Sequence, residues 1–300
     1  MEKRAFGRTD MQVSVVGFGG AEIGLEGADE TTVAQLLGNA LDAGLNVIDT
    51  AECYGNSEEM IGKSVGARRD QFYLFTKCGH PHGMESEANW SRDSILESVE
   101  RSLRRLRTDR VDLVHLHSCP ESVLKRGEAI EALQAARAKG MTRYIGYSGD
   151  SHAARYAVEC GAFDSLQTSI NIADQEALEL TLPSARDRGL GVIAKRPIAN
   201  AAWKTGTKPA SSYHQTYWDR LRKLDYEFLH QSDVASSIGI ALRFTLTVPG
   251  VATAIVGTKN PARWKENAQL LAAGPLDEHE FNEIRSRWDE VAPKTWIGQT

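Results

Sequence analysis

Asn46-Val47-Ile48-Asp49-Thr50-Ala51-Glu52-Cys53-Tyr54-Gly55-Asn56-Ser57 is the stretch on which the fold turns. An apolar run of strand length closes on a carboxylate, a short polar loop follows, and a helix opens at Ser57. Upstream, Val33, Leu36, Leu37, Ala40 and Leu41 mark one face of a helix stopped by Gly44. The same alternation runs outward in both directions. Apolar runs of strand length fall at 13–18, 46–48, 72–75, 111–116, 144–147, 165–167, 191–194 and 252–256. Helical faces lie between them: Ile95, Val99, Leu103 and Leu106; then Ile130, Leu133 and Ala136 up to Gly140; then a helix from Leu178 to Gly189. Strand-then-helix repetition of this kind requires parallel strands joined by helical crossovers. Eight runs fit a (β/α)8 TIM barrel best, with an open doubly wound sheet as the alternative. The open sheet usually carries G-x-G-x-x-G after its first strand, and Gly17-Phe18-Gly19-Gly20-Ala21-Glu22 only half matches it. Two segments break the alternation. Residues 198–230, with Trp203, Tyr213, Tyr217 and Trp218, read as an inserted loop with some helix, and 277–291 as an extra C-terminal helix. The expected architecture is one α/β domain over residues 1–300.

Composition narrows the function. Lys+Arg 35 against Asp+Glu 40 gives a net charge of −5, which argues against a basic field for nucleic acid or membrane surfaces. Hydrophobic residues at 41% and charged residues at 25% are ordinary for a globular chain. The 4 cysteines, Cys53, Cys78, Cys119 and Cys160, are widely spaced, with no C-x-x-C pair. With no secretory h-region after Met1-Glu2-Lys3-Arg4-Ala5 and no long apolar span, the expected setting is reducing and cytoplasmic. No pattern assigns an oligomeric state.

The informative pattern is what closes each strand. Asp49, Lys77, His117, Ser148, Gln167, Lys195-Arg196 and Gly257-Thr258 all stand at or just past the carboxyl ends of different runs. Polar groups from many strand ends are what a barrel active site is made of. Singly, each is a solvated strand terminus; their coincidence makes that reading poor. If Lys77 lies beside Tyr54, its charge favours phenolate and lowers the phenol from its usual value near 10. Such a tyrosine is a usable general acid. Asp49 would then hold Lys77 charged. The competing reading is a rim salt bridge beside a core tyrosine.

Two H-x-H pairs, His80-x-His82 and His115-x-His117, raise a metal site. The remaining histidines do not sit at strand ends and His80 and His82 lie in a Pro/Gly loop, so no metal is expected, and a barrel-facing His115 reads as a satisfied core residue. After the eighth run comes Gly257-Thr258-Lys259-Asn260-Pro261-Ala262-Arg263. Asn260 as N-cap and Pro261 as first helical residue would leave free N–H groups near a hydroxyl and two cations, an anion site. A plain capped helix is the alternative.

Together these residues resemble the aldo-keto reductase superfamily over nearly the whole chain. The pieces are Asp49-Thr50-Ala51 through Tyr54-Gly55 with Ser57-Glu58, Thr76-Lys77, Ser102 to Leu106, Thr108 to Leu113, His117, Ile145-Gly146-Tyr147-Ser148, Gln167, and Thr258 with Arg263 and Glu266-Asn267. The resemblance implies reduction of a small-molecule aldehyde or ketone with NADPH, with NADH possible. Carried over by position, Tyr54 is the proton donor, Lys77 lowers its pKa, Asp49 buttresses Lys77, and His117 points a donor at the carbonyl oxygen. Ser148 and Gln167 would bind the carboxamide. Thr258, Arg263 and Asn267, with Glu266 in the same segment, would hold the adenosine end, and Gly19 and Gly20 would border the cofactor.

Departures stand at Gly149, where many members have Asn, at Lys195-Arg196, where an aromatic-Ser pair is usual and a free guanidinium would instead stack on the cofactor or neutralise its pyrophosphate, and at Gly257, where NADPH-selective members often have Lys. Lys259 is placed to compensate for Gly257. Two other classes remain open: a non-catalytic NADPH-binding subunit or sensor, and a metal-dependent hydrolase.

Overall fold

The computed structural model describes residues 1–81, 86–230 and 233–299. A short antiparallel hairpin comes first, β1 (Lys3–Ala5) and β2 (Gln12–Ser14). Eight parallel strands then close a barrel: β3 (Val16–Gly19), β4 (Val47–Asp49), β5 (Tyr73–Cys78), β6 (Val111–His117), β7 (Thr142–Ser148), β8 (Ser165–Ser169), β9 (Gly191–Lys195) and β10 (Val251–Gly257). Each strand pairs with its sequence neighbour, and β10 returns to β3 to seal the ring. The expected TIM barrel is therefore what the chain forms, and Glu278–Val291 is the extra C-terminal helix, capped by Asp277.

Two clusters of buried side chains hold it together. The larger joins the outer faces of the strands to the helices. Val33, Leu36, Leu37, Ala40 and Leu41 bury the face read from the sequence, while Asp29 caps the start of their helix by accepting from the Thr32 amide at 2.9 Å. The smaller cluster fills the barrel's amino-terminal half: Val47, Phe75, Leu113, Ile193 and Ala252 with Phe6, Met11 and Val13 from the hairpin. The hairpin is thus a plug. Its turn requires Gly7, with φ +56° and a Cβ position 2.3 Å from the Gly191 amide nitrogen. An apolar floor leaves the polar residues for the opposite, carboxyl-terminal mouth.

Three local readings are corrected. The run at 13–18 splits into β2 and β3, because Ser14 turns its hydroxyl onto the Val16 carbonyl and pairs its backbone N–H with Asn46. The helix expected over 178–189 is two short ones, Glu176–Leu180 and Leu182–Asp187. Thr181 takes a non-helical φ of −126° between them, and Pro183 starts the second. The helix after β10 begins at Arg263 and not Pro261. Asn260 closes a turn instead, its Oδ1 accepting from the Ala262 amide at 3.0 Å, after its own amide donates to Thr258 Oγ1 at 3.0 Å. Among the described residues no helix is long and apolar enough to cross a membrane.

Candidate active site

Strand register sets the geometry. Asp49, Lys77, His117, Ser148 and Gln167 sit on neighbouring strands, with His117 opposite Ser148 and Ser148 opposite Gln167. At the mouth Asp49, Lys77, Ser148 and Gln167 join into one network. Buried Lys77 is paired with Asp49 and also donates to the Thr50 carbonyl at 2.8 Å. Across the barrel, Gln167 Nε2 donates to Asp49 Oδ1 at 3.0 Å, and Ser148 Oγ donates to Gln167 Oε1 at 2.8 Å. Tyr54 lies over this pair, its ring centre 5.0 Å from the Lys77 ammonium. The loop carrying it is fixed from below, where Gly24 and Gly55 touch so closely that a Cβ on Gly55 would lie 2.6 Å from the Gly24 carbonyl oxygen. Gly55 also has φ +54°. His117 meets the edge of Tyr54 with ring centres 5.8 Å apart.

The charges follow from burial. Burial works against the Lys77 ammonium, but Asp49 and Tyr54 more than offset it, and its pKa lies above the ordinary value. Tyr54 departs from the sequence reading: burial pushes the phenol up, and Lys77 pulls against that without reversing it. The proton is therefore firmly on Tyr54 at neutrality. Lys77 acts by limiting the cost of removing it. Burial, followed by Lys77 and His80, holds His117 well below the usual histidine range, so it is a neutral ring with one N–H.

Among the described residues, His115 and His117 do not share a partner. His117 Nδ1 lies 3.5 Å from the Cys53 thiol, while His115 Nε2 lies 3.2 Å from Ser165 Oγ, over Gly146, whose missing side chain makes room for the imidazole. His115 is fully buried, and burial, followed by Lys77, holds it well below the usual histidine range. His80 sits beside the His117 backbone, its ring edge-on to Trp90 at 5.3 Å. His82 lies outside the described residues.

The end of β9 is committed elsewhere. Lys195 is 2.7 Å from Asp150, and burial lowers its pKa to about 8. Arg196, with φ +54°, donates to Tyr213 at 2.8 Å, to Ser169 at 2.9 Å and to the Gln299 carbonyl. It ties down the C-terminal tail instead of standing free for a pyrophosphate. Buried Asp174 holds the same tail, accepting from the Gln299 amide at 3.2 Å, and burial raises it to about 7 from an ordinary 3.8. Between those values the folded protein keeps a proton that the unfolded chain has lost. The Asp174 contribution to stability is therefore full below the ordinary value, falls as pH rises towards about 7, and is flat above. Urea unfolding across that range should show this fall, and Asp174→Asn should reduce it; an unchanged slope would contradict the assignment.

Next to it around the rim, Gly19, Gly20 and Gly257 leave bare backbone at the ends of β3 and β10. A Cβ on Gly20 would lie 2.7 Å from Ser57 Oγ, and one on Gly19 3.4 Å from the Gly257 amide nitrogen. Beyond them Thr258 and Asn267 are buried, and Asn267 Nδ2 has no hydrogen-bond partner among the described residues. Arg263 and Lys259 are not free cations: Arg263 lies 2.6 Å from Glu266, and Lys259 2.8 Å from Glu26. A glycine-lined notch, an orphaned buried amide and cations on exposed, exchangeable pairs fit an elongated phosphorylated ligand.

Sequence reasoning passed over several contributors. Glu52 accepts from the Gly79 and His80 amides at 2.8 and 2.9 Å and from Arg101 at 2.9 Å, so it anchors the loop beside Tyr54. Cys53, Gly24 and Glu22 were equally silent. Only the position of Glu52, two residues before Tyr54, was a usable signal. Of the loop tryptophans, Trp203 donates to Ser237 at 2.9 Å and Trp296 packs on Trp288 at 5.6 Å, whereas Trp90 stands beside His80 at the mouth.

A closed eight-strand barrel with a buried Asp–Lys pair, a tyrosine and a histidine at its carboxyl-terminal mouth defines an enzyme-like barrel. The chain belongs to the Aldo/keto reductase family, which it matches over residues 15–289. It is 29% identical to the uncharacterized oxidoreductase YqkF of Bacillus subtilis, over 95% of this chain and 96% of that protein. It is 28% identical to L-galactose dehydrogenase of Arabidopsis thaliana, over 99% of this chain and 97% of that protein. Among solved structures, the holo form of an aldo-keto reductase from Bacillus halodurans superposes with a TM-score of 0.84 at 28% identity, covering 98% of this chain and 99% of the other. A Klebsiella pneumoniae aldo/keto reductase in complex with NADP and acetate shares the fold, with a TM-score of 0.78 at 22% identity over 100% of both chains.

Proposed function

We propose that the chain is an NADP-dependent oxidoreductase that reduces an aldehyde or ketone to an alcohol, with NAD as a possible second cofactor. The observation that carries this reading is the joining of Asp49, Lys77, Tyr54 and His117 at one mouth of the barrel. Bound NADPH would supply the hydride. Gly19, Gly20, Asp49, Ser148, Gln167, Lys195, Arg196, Gly257, Thr258, Lys259, Arg263, Glu266 and Asn267 border the space for it, with Ser148 and Gln167 at the carboxamide and Thr258, Arg263 and Asn267 at the adenosine end. Arg196 and Lys195 serve through the wall they hold and not through a free charge.

Tyr54 gives its phenol proton to the oxygen on which negative charge develops. Lys77 stabilises the phenolate left behind, and Asp49, oriented by Gln167, keeps Lys77 charged in a dry site. Neutral His117 places its one N–H towards the same oxygen, a preorganised donor where charge appears. Run backwards, the same residues oxidise an alcohol, and the Arabidopsis relative is named as a dehydrogenase. We take residues 1–300 as one catalytic domain acting on a small molecule, with no nucleic-acid or membrane partner. Four free thiols favour a reducing, cytoplasmic setting. A non-catalytic NADPH-binding sensor is the runner-up, and tight binding without turnover would favour it.

Cofactor preference gives a direct check. Arg263→Ala removes a charge-assisted contact worth about 1.5–3 kcal/mol, so NADPH affinity should fall roughly tenfold to a hundredfold with NADH nearly unchanged. Fluorescence titration measures both; equal losses would place the 2′-phosphate elsewhere.

A further inference from the structure

Charged side chains from separate parts of the chain meet at the notch between β3 and β10. Glu22 and Glu26 come from the helix Ala21–Leu25 and its end, Lys204 from the 198–230 insertion, and Lys259, Arg263 and Glu266 from the segment after β10. Lys259 is taken by Glu26 at 2.8 Å and Arg263 by Glu266 at 2.6 Å. The Glu22 carboxylate lies over Gly257, where a Cβ would stand 3.0 Å from its Oε1. Burial and Glu26 push Glu22 up, while Lys204, Lys259 and Arg263 pull it down, which places all of these charges in one another's field. The cations Lys204, Lys259 and Arg263 are thus balanced by Glu22, Glu26 and Glu266. Buried Asn267, on the helix that carries Arg263 and Glu266, has an Nδ2 with no hydrogen-bond partner among the described residues, a group that a ligand would satisfy.

A balanced cluster responds differently to the two nicotinamide dinucleotides. A phosphate monoester brings a charge of about −1.5 to −2, which the carboxylates repel and for which they compete on the cations. A ribose hydroxyl brings no charge, and a carboxylate accepts its hydrogen bond. We propose that Glu22, with Glu26 beside it, is the specificity-determining pair of this site: it weakens the hold on the 2′-phosphorylated dinucleotide and lets the unphosphorylated one in. This rests on the reading that the notch holds the adenosine end of a nicotinamide dinucleotide.

The test is equilibrium binding of NADP+ and NAD+, followed by quenching of tryptophan fluorescence, for the unaltered protein, Glu22→Gln and Glu26→Gln, at low and moderate salt. Each variant should tighten NADP+ roughly fivefold or more at low salt, less at moderate salt, with NAD+ unmoved or weakened. Glu26 is exposed, so its variant keeps the test decisive should Glu22→Gln fail to fold. Equal tightening of both dinucleotides, or an unmoved NADP+ affinity, overturns the specificity role while leaving the oxidoreductase reading intact. Unaltered protein that binds neither dinucleotide overturns both.

Discussion

Tyr54→Phe should lower kcat for carbonyl reduction by about 10²–10⁴-fold, the range expected when a positioned general acid is lost. NADPH affinity should stay nearly the same, because phenylalanine keeps the ring over Lys77 and removes only the hydroxyl. The size follows from the electrostatics of the mouth. Burial makes the phenol hold its proton, and only the nearby Lys77 ammonium makes its release affordable. Without the hydroxyl, the charge growing on the substrate oxygen has the neutral His117 N–H and no proton to accept. Steady-state kinetics with a fluorescence titration separates the two effects. A variant with normal kcat would remove Tyr54 from the chemistry.

The second large effect is expected at Asp49. Asp49→Asn leaves the buried Lys77 ammonium without its counter-charge, and breaking a buried pair on one side costs about 3–5 kcal/mol. For a chain of 300 residues the thermal midpoint should fall by roughly 5–8 °C. Because Asp49 is what holds the Lys77 pKa above its ordinary value, Lys77 should also lose its proton at lower pH, and activity should fall away earlier on the alkaline side. The double variant Asp49→Asn/Lys77→Met should restore much of the stability but not the turnover, since removing the buried ammonium removes the need for a counter-charge and leaves nothing to support a phenolate. Recovery of activity along with stability would mean that the pair only holds the barrel together.

The barrel was legible because each crossover repeats the same local rule. Val47-Ile48-Asp49 and Val111 to His117 announce strands by apolar runs, and the polar residue at each end announces the mouth. The Asp49–Lys77 pair was legible for the same reason, both residues standing at strand ends in adjacent units. What escaped depends on contacts between segments distant in sequence. The split at Thr181 and the late start at Arg263 turn on local competition between side-chain and backbone hydrogen bonds, which periodicity does not see. The rise of the Tyr54 pKa needed the degree of burial, which a sequence pattern does not supply. Arg196 read as a free cation because nothing in 198–230 or the tail announces that Tyr213 and the Gln299 carbonyl will converge on it. The charges around Glu22 belong to the same class: partners hundreds of residues apart, brought together only by closure of β10 on β3.

The central claim is most directly tested by mixing the protein, saturated with NADPH, with an activated aromatic aldehyde in a stopped-flow instrument and following loss of the reduced nicotinamide absorbance in a single turnover. The account predicts a rapid decay with the unaltered protein, slowed by two or more orders of magnitude in Tyr54→Phe at equal cofactor occupancy. Loss of absorbance at the same rate in both proteins, or none in the unaltered protein across a panel of aldehydes and ketones, would contradict it.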